Sequence, residues 1–163
     1  MAILHNPFKD LPGYHCFGCS PYNPIGLRLK FEEIGEEIVS KWEPGHDYQG
    51  YFNILHGGIQ ATLMDEIASW TVYVKLKTAG FTAGMEVRYL KNVALDRGPL
   101  TLRSRVQKMR RNLADIEVEL YDKEEVLCSR ATLTYFTFPP GKARETMFYP
   151  DHLEFYKPGL SHG

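Results

Sequence analysis

The chain lacks most of the features that mark a specialised environment. Its nineteen lysines and arginines stand against twenty aspartates and glutamates, a formal charge of −1, so no global field draws it to nucleic acid or to an anionic membrane. Any anionic group of a ligand must be met locally. No apolar run approaches the ~20 residues of a membrane span, and Met1-Ala2-Ile3-Leu4-His5-Asn6-Pro7 has neither a basic n-region nor an apolar h-region. The expectation is a cytoplasmic protein with no membrane partner. The three cysteines cannot all pair, and without a secretory signal they are expected to be reduced. Cys16-Phe17-Gly18-Cys19 has the spacing of half a zinc site, but no second such pair exists and Cys128 falls in a predicted strand. A closed tetrahedral metal site within one chain is therefore not expected. No helical pattern follows Cys19 to lower a thiolate pKa, which argues against a redox role.

What is present suits one domain: 163 residues, 44% of them hydrophobic, can fill one sizeable core. Residues 1–26 read as a loop-rich segment with room for a short helix, because Pro7, Pro12, Gly13, Pro21, Pro24 and Gly26 break any period. Order is expected to begin after Gly26. Leu27, Leu29 and Phe31 alternate with Arg28, Lys30 and Glu32; Gly35 then turns the chain into Glu37–Trp42, which predicts a strand pair. From Gly57 to about Lys77 the period is helical. Ile59, Leu63, Ile67, Trp70 and Val74 form one apolar stripe, and Ala61, Ala68 and Val72 form a second that includes Asp65. A helix apolar on two sides is buried on two sides, by a sheet on one and by another element or a partner subunit on the other.

Four β-rich stretches follow, Phe81–Val93, Leu100–Arg110, Ala114–Tyr121 and Val126–Phe138, separated by turn signals. One helix between two strand groups, with four strands in meander order, predicts an α+β fold with a largely antiparallel sheet around the helix. The expected core domain is 27–138. The remaining 139–163 form a tail whose aromatics either dock or leave it loosely held.

The chemistry concentrates in His56-Gly57-Gly58 and Asp65. A glycine pair opening a helix offers bare backbone N–H groups to a developing negative charge, or simply allows a tight turn. A carboxylate among Ala61, Ala68 and Val72 bears a desolvation cost, which fits a base or nucleophile, or else a buried acceptor satisfying a backbone donor. Eight residues at about 1.5 Å each separate Asp65 from Gly57 by some 12 Å along the axis. One helix cannot bring both to one carbonyl; two helices related by a two-fold axis can, which predicts a dimer with two equivalent sites.

Ser69, one turn past Asp65, either holds a water beside the carboxylate or bonds back to the Asp65 carbonyl. Gln49 and Asn53, in the loop before His56, offer amides to a carbonyl, a leaving group or the carboxylate. His56 is placed to orient the glycine donor. Glu66 points about 100° away from Asp65 and reads as structural or solvated. Arg88 and Lys91 on one strand, and Arg110-Arg111 at a hairpin end, are candidate phosphate contacts.

The run Ile54-Leu55-His56-Gly57-Gly58-Ile59-Gln60-Ala61-Thr62-Leu63-Met64-Asp65-Glu66, set before a strand meander, resembles the PaaI-like acyl-CoA thioesterases of the hotdog fold. Cys16-Phe17-Gly18-Cys19-Ser20-Pro21-Tyr22-Asn23-Pro24-Ile25-Gly26-Leu27 resembles a segment that precedes the fold in some members, which favours a structural reading of both cysteines. The resemblance implies a helix wrapped by the sheet, dimers with sites at the subunit interface, and paired dimers as tetramers. It implies that the Gly57 N–H, with Gly58 beside it, polarises a thioester carbonyl, and that Asp65 of the partner subunit is nucleophile or base. It places His56 in the signature, gives Ser69 a water-holding role and makes Gln49 the first candidate for an amide before the motif. It implies no metal and no cofactor, coenzyme A entering as part of the substrate. Some members carry a Ser or Thr on the strand after the helix; here Thr82 and Ala83 compete for that place. The alternatives are a hotdog module that binds acyl-CoA without catalysis, and a hotdog hydratase, whose usual His with an acidic partner this motif lacks.

Overall fold

The computed structural model describes residues 1–158, so the last five residues of the expected 139–163 tail lie outside the described residues. Seven strands form one antiparallel sheet around a long helix: β1 (Ala2–Ile3), β2 (Glu32–Ile34), β3 (Glu37–Trp42), α1 (Gly57–Lys75), β4 (Gly80–Tyr89), β5 (Leu100–Arg110), β6 (Leu113–Tyr121), β7 (Leu127–Thr137) and α2 (Pro140–Met147). The sheet order is β1-β2-β3-β5-β6-β7-β4. The predicted α+β class with a wrapped central helix is what is found. The four-strand meander is not: β5, β6 and β7 follow one another, but β4 lies beyond β7. β3 occupies the edge of β5 that a meander would give to β4, so the strand leaving the helix must take the far edge.

Alternation sets the concave face of the sheet. Leu100, Leu102 and Ser104 of β5, Ala114, Ile116, Val118 and Leu120 of β6, and Ala131, Leu133 and Tyr135 of β7 are buried, and they meet Leu63, Met64, Ile67, Ala68 and Thr71 of α1 in one core. Thr71 Oγ1 lies 2.6 Å from Ser104 Oγ and donates to its own helix at the Ile67 carbonyl, so this buried polar contact between helix and β5 is satisfied at both ends. Gln60, also buried, is held by Ser129 Oγ, which donates to its Oε1 at 2.9 Å.

Two expectations are corrected at the N-terminus. The strand predicted from Leu27 begins only at Glu32, because the backbone of Leu27 and Leu29 donates instead to Phe17 and Gly18, and Arg28 sits at φ 55°. Order begins long before Gly26: Ala2 and Ile3 pair with β2, and Leu4, Phe8 and Cys19 are buried. The outer side of α1 is covered by both ends of its own chain. Phe8 from the N-terminal segment and Phe155 from a C-terminal 3-10 turn pack on Trp70 and Tyr73, His5 N–H donates to the Phe155 carbonyl, and Tyr149 donates to the Tyr73 carbonyl at 2.7 Å. The tail aromatics Tyr149 and Phe155 are thus docked, whereas Phe148 is exposed.

Candidate active site

The loop Gln49–His56 folds back on itself before α1. Gln49 Oε1 accepts the Asn53 N–H at 2.9 Å, Gly50 N–H donates to Ile54, and His56 N–H to Tyr48. Asn53 adopts φ 57°, a conformation that asparagine tolerates better than most residues. Gly50 lies so close beneath His56 that a Cβ there would sit 2.9 Å from the His56 Cα. The loop therefore delivers His56 to the N-cap with φ −57° and ψ 131°, and its Nδ1 accepts the Gly58 N–H at 2.9 Å. That bond commits the Gly58 amide and fixes the ring tautomer with the proton on Nε2. Among the described residues the Gly57 N–H has no partner, and it opens the positive end of a nineteen-residue helix. Tyr89 of β4 donates to the Gly57 carbonyl at 2.7 Å and backs the turn. Gln49, His56, Gly57, Gly58, Tyr89 and Lys91 line a cleft of about 650 Å³.

Asp65 is half-buried two turns along. Its Oδ1 accepts the hydroxyls of Thr82 and Tyr135, each at 2.7 Å, and the Tyr135 hydroxyl also lies 2.9 Å from the Asp65 carbonyl oxygen. Thr82 and Tyr135 face each other across β4 and β7, and a register shift between Thr82 and Gly84 displaces Ala83. That bulge decides between the two sequence candidates: Thr82 reaches the carboxylate and Ala83 does not. Burial and the Asp65 charge hold the Tyr135 phenol well above its ordinary value, so it stays a neutral donor. Both donors bind one oxygen, leaving Asp65 Oδ2 without a protein partner among the described residues.

Sequence reasoning missed Tyr135. The only available signal was a tyrosine on the inward phase of a strand, and its distance from Asp65 depends on a register the sequence does not declare. Among the described residues Ser69 does not bond back to the Asp65 carbonyl, which accepts the Tyr135 hydroxyl instead. Glu66 is neither solvated nor part of the cleft: it turns to Cys16, whose thiol donates to its carboxylate at 3.6 Å. Burial first, and then the neighbouring Cys16, raise its pKa to about 8.

The basic candidates separate. Lys91 lies in the Gly57 cleft; Arg88 pairs with Glu86 at 3.2 Å on the open surface. Arg110 and Arg111 sit at the β5–β6 turn, next to the residues that pair with the start of β4. They are thus near the opposite end of β4 from Lys91, with Arg110 bonded to Asp115 at 2.8 Å. One chain does not gather these four cations into one phosphate site.

Residues 52–129 match the family model of the thioesterase superfamily. A protein of Saccharolobus solfataricus provisionally named an esterase is 30% identical over 118 residues, 72% of this chain and 77% of the relative. Among solved structures, a thioesterase superfamily protein superposes with a TM-score of 0.69 at 20% identity, over 75% of this chain and 60% of that one. This chain thus spans less than two thirds of that neighbour's length. A hypothetical thioesterase protein from Streptococcus pneumoniae, solved with coenzyme A, gives a TM-score of 0.62 at 25% identity over 68% of this chain and 85% of its own. With the helix wrapped by its sheet, the family match running from the His56 loop to the start of β7 and a relative 30% identical over 72% of this chain, the chain belongs to the thioesterase superfamily of hotdog proteins.

Proposed function

We propose that the protein hydrolyses acyl-CoA thioesters at a site shared by two chains. The observation that carries this reading is a pair of groups on one helix that have no partner among the described residues: the Gly57 N–H at its positive end, and Oδ2 of an Asp65 carboxylate whose Oδ1 is pinned by Thr82 and Tyr135. At about 12 Å along the axis they cannot serve the same carbonyl. The two-fold arrangement that joins them is favoured by β4, an edge strand paired on one side only, with Phe81 59%, Tyr89 52% and Leu90 56% exposed. A free strand edge flanked by large apolar side chains is a surface that a second copy covers.

In this arrangement the thioester oxygen lies at the Gly57 N–H of one chain, where the helix end stabilises the oxyanion. Asp65 Oδ2 of the other either attacks the carbonyl carbon, expelling the coenzyme A thiolate and leaving an anhydride for water to open, or takes a proton from the attacking water. Thr82 and Tyr135 orient the carboxylate for both routes. Lys91 is the cation best placed for a substrate phosphate, by its place in the Gly57 cleft. The coenzyme A held by the streptococcal relative supports this substrate class. The competing reading, a binding module without turnover, gives Asp65 no task. Asp65→Asn is expected to abolish release of free coenzyme A while the fold and assembly persist; full turnover in that variant would eliminate Asp65 as the reacting group.

A further inference from the structure

The Cys16-Phe17-Gly18-Cys19 turn is unused by the proposed hydrolysis, and the fold does something with it that spacing alone did not reveal. It lays the turn against Glu66 of α1. Cys16 Sγ, Cys19 Sγ and a Glu66 carboxylate oxygen all lie within 4.8 Å of one another, and Cys16 Sγ is 3.6 Å and 3.7 Å from the two carboxylate oxygens. Metal–sulfur bonds of ~2.3 Å and metal–oxygen bonds of ~2.0–2.2 Å put sulfur and oxygen about 3.5 Å apart along a tetrahedral edge. The Cys16–Glu66 separation already matches that edge. From these positions we propose that Cys16, Cys19 and Glu66 form a binding site for a thiophilic divalent cation of the zinc class.

The surroundings fit a metal better than a pair of inert thiols. Among the described residues no lysine, arginine or histidine pairs with Glu66, so a carboxylate and two thiols converge with no positive charge among them. The turn is closed by Ser20 N–H donating to the Cys16 carbonyl at 3.1 Å, which holds the two cysteines on one side of it. Gly18 lets the carboxylate approach: a Cβ there would lie 2.3 Å from Glu66 Oε2. Behind the ligands, Tyr14 Oη lies 3.0 Å from Cys19 Sγ, and Asn6 Nδ2 donates to the same sulfur at 3.6 Å, the kind of outer contact that orients a metal ligand. Two sulfurs and one oxygen leave the fourth tetrahedral position to a water or small anion, and thiolates select zinc-like ions over magnesium or calcium. Binding releases the cysteine protons. The ion would bolt the N-terminal segment to α1 at the residue after Asp65, without touching the reacting carboxylate.

The test uses the full chain, reduced and stripped with a chelator. Titration with Zn²⁺ against a chromophoric chelator is expected to give one ion per chain, and Co²⁺ is expected to show sulfur-to-cobalt charge-transfer absorption. Cys16→Ser, Cys19→Ser and Glu66→Gln are each expected to weaken Zn²⁺ binding by about 100-fold or more, at or beyond the loss seen when only an outer partner of a ligand is removed. Cys128→Ser is expected to bind as the parent does. Absence of the sulfur signature from the folded, reduced parent chain overturns the site without recourse to any variant. So does unchanged Zn²⁺ affinity in Cys16→Ser, or a stoichiometry that Cys128→Ser abolishes.

Discussion

Gly57→Pro removes the proposed oxyanion donor while asking almost nothing of the fold. Proline is favoured at the first position of a helix, where its missing N–H would be unbonded anyway, and Gly57 holds that position with no partner for its amide. The residue before a proline must be extended, and His56 already sits at φ −57° and ψ 131°. A Cβ at Gly57 meets the Tyr89 ring at 3.4–3.5 Å, an ordinary contact. Against glycine, proline also restricts the unfolded chain, worth about 0.4–1 kcal/mol. Stability is therefore expected within about 1 kcal/mol of the parent, whereas losing an oxyanion donor costs roughly 10²–10³ in kcat, or about 2.7–4 kcal/mol of transition-state stabilisation. Gly57→Ala adds the same Cβ but keeps the N–H, so its kcat should stay at least about tenfold above that of the proline variant. The assay is release of free coenzyme A thiol from acyl-CoA, read beside a thermal melt. A folded Gly57→Pro protein that hydrolyses within a few-fold of the parent would refute the role given to this amide.

Two other perturbations bear on different parts of the molecule. Tyr135→Phe and Thr82→Val each delete one of the two donors to Asp65 Oδ1. A hydrogen bond to a charged group is worth about 1.5–3 kcal/mol, so kcat is expected to fall roughly 10–100-fold with KM little changed; an equal rise in KM with kcat preserved would place the pair in binding instead. Glu33 reports on the docked tail. Burial would raise its pKa, but the Lys75 ammonium at 2.6 Å and the Tyr156 hydroxyl at 2.8 Å outweigh this and hold it below the ordinary 4.5. A depressed carboxylate adds stability that is present above the unfolded value and lost as pH falls through the folded one. Thermal stability should therefore drop on acidification below about 4.5, more steeply in the parent than in Glu33→Gln, and identical acid limbs would remove Glu33 from the docking contact.

Much of the framework is legible in the sequence because its signals are local. The helix begins at Gly57, where His56 and the glycine pair mark a terminus, and β5 runs over Leu100–Arg110, opening on the alternation of Leu100, Leu102 and Ser104. What escapes is set by contacts between distant segments. The N-terminal residues Leu4, Phe8 and Cys19 follow no period because their backbone bonds go to neither a helix nor a full strand, yet the core buries them. The placement of β4 beyond β7 is a competition for the β5 edge that no single strand reveals. At the site, His56, Gly57 and Asp65 stand out through composition and spacing. Tyr135 does not, because it reaches Asp65 from a strand seventy residues further along the chain. The same holds for Glu66, whose neighbours Cys16 and Cys19 arrive from a segment with no secondary-structure pattern of its own.

The most direct measurement of a shared site is complementation between two inactive chains. Asp65→Asn and Gly57→Pro are mixed in equal amounts, dissociated, reassociated and assayed for thioester hydrolysis. If each site takes Gly57 from one chain and Asp65 from the other, a mixed dimer holds one intact site, and random pairing restores about 25% of the parent activity. If both groups act within one chain, every site in every dimer stays broken, and a mixture no more active than its separate components contradicts the two-chain site.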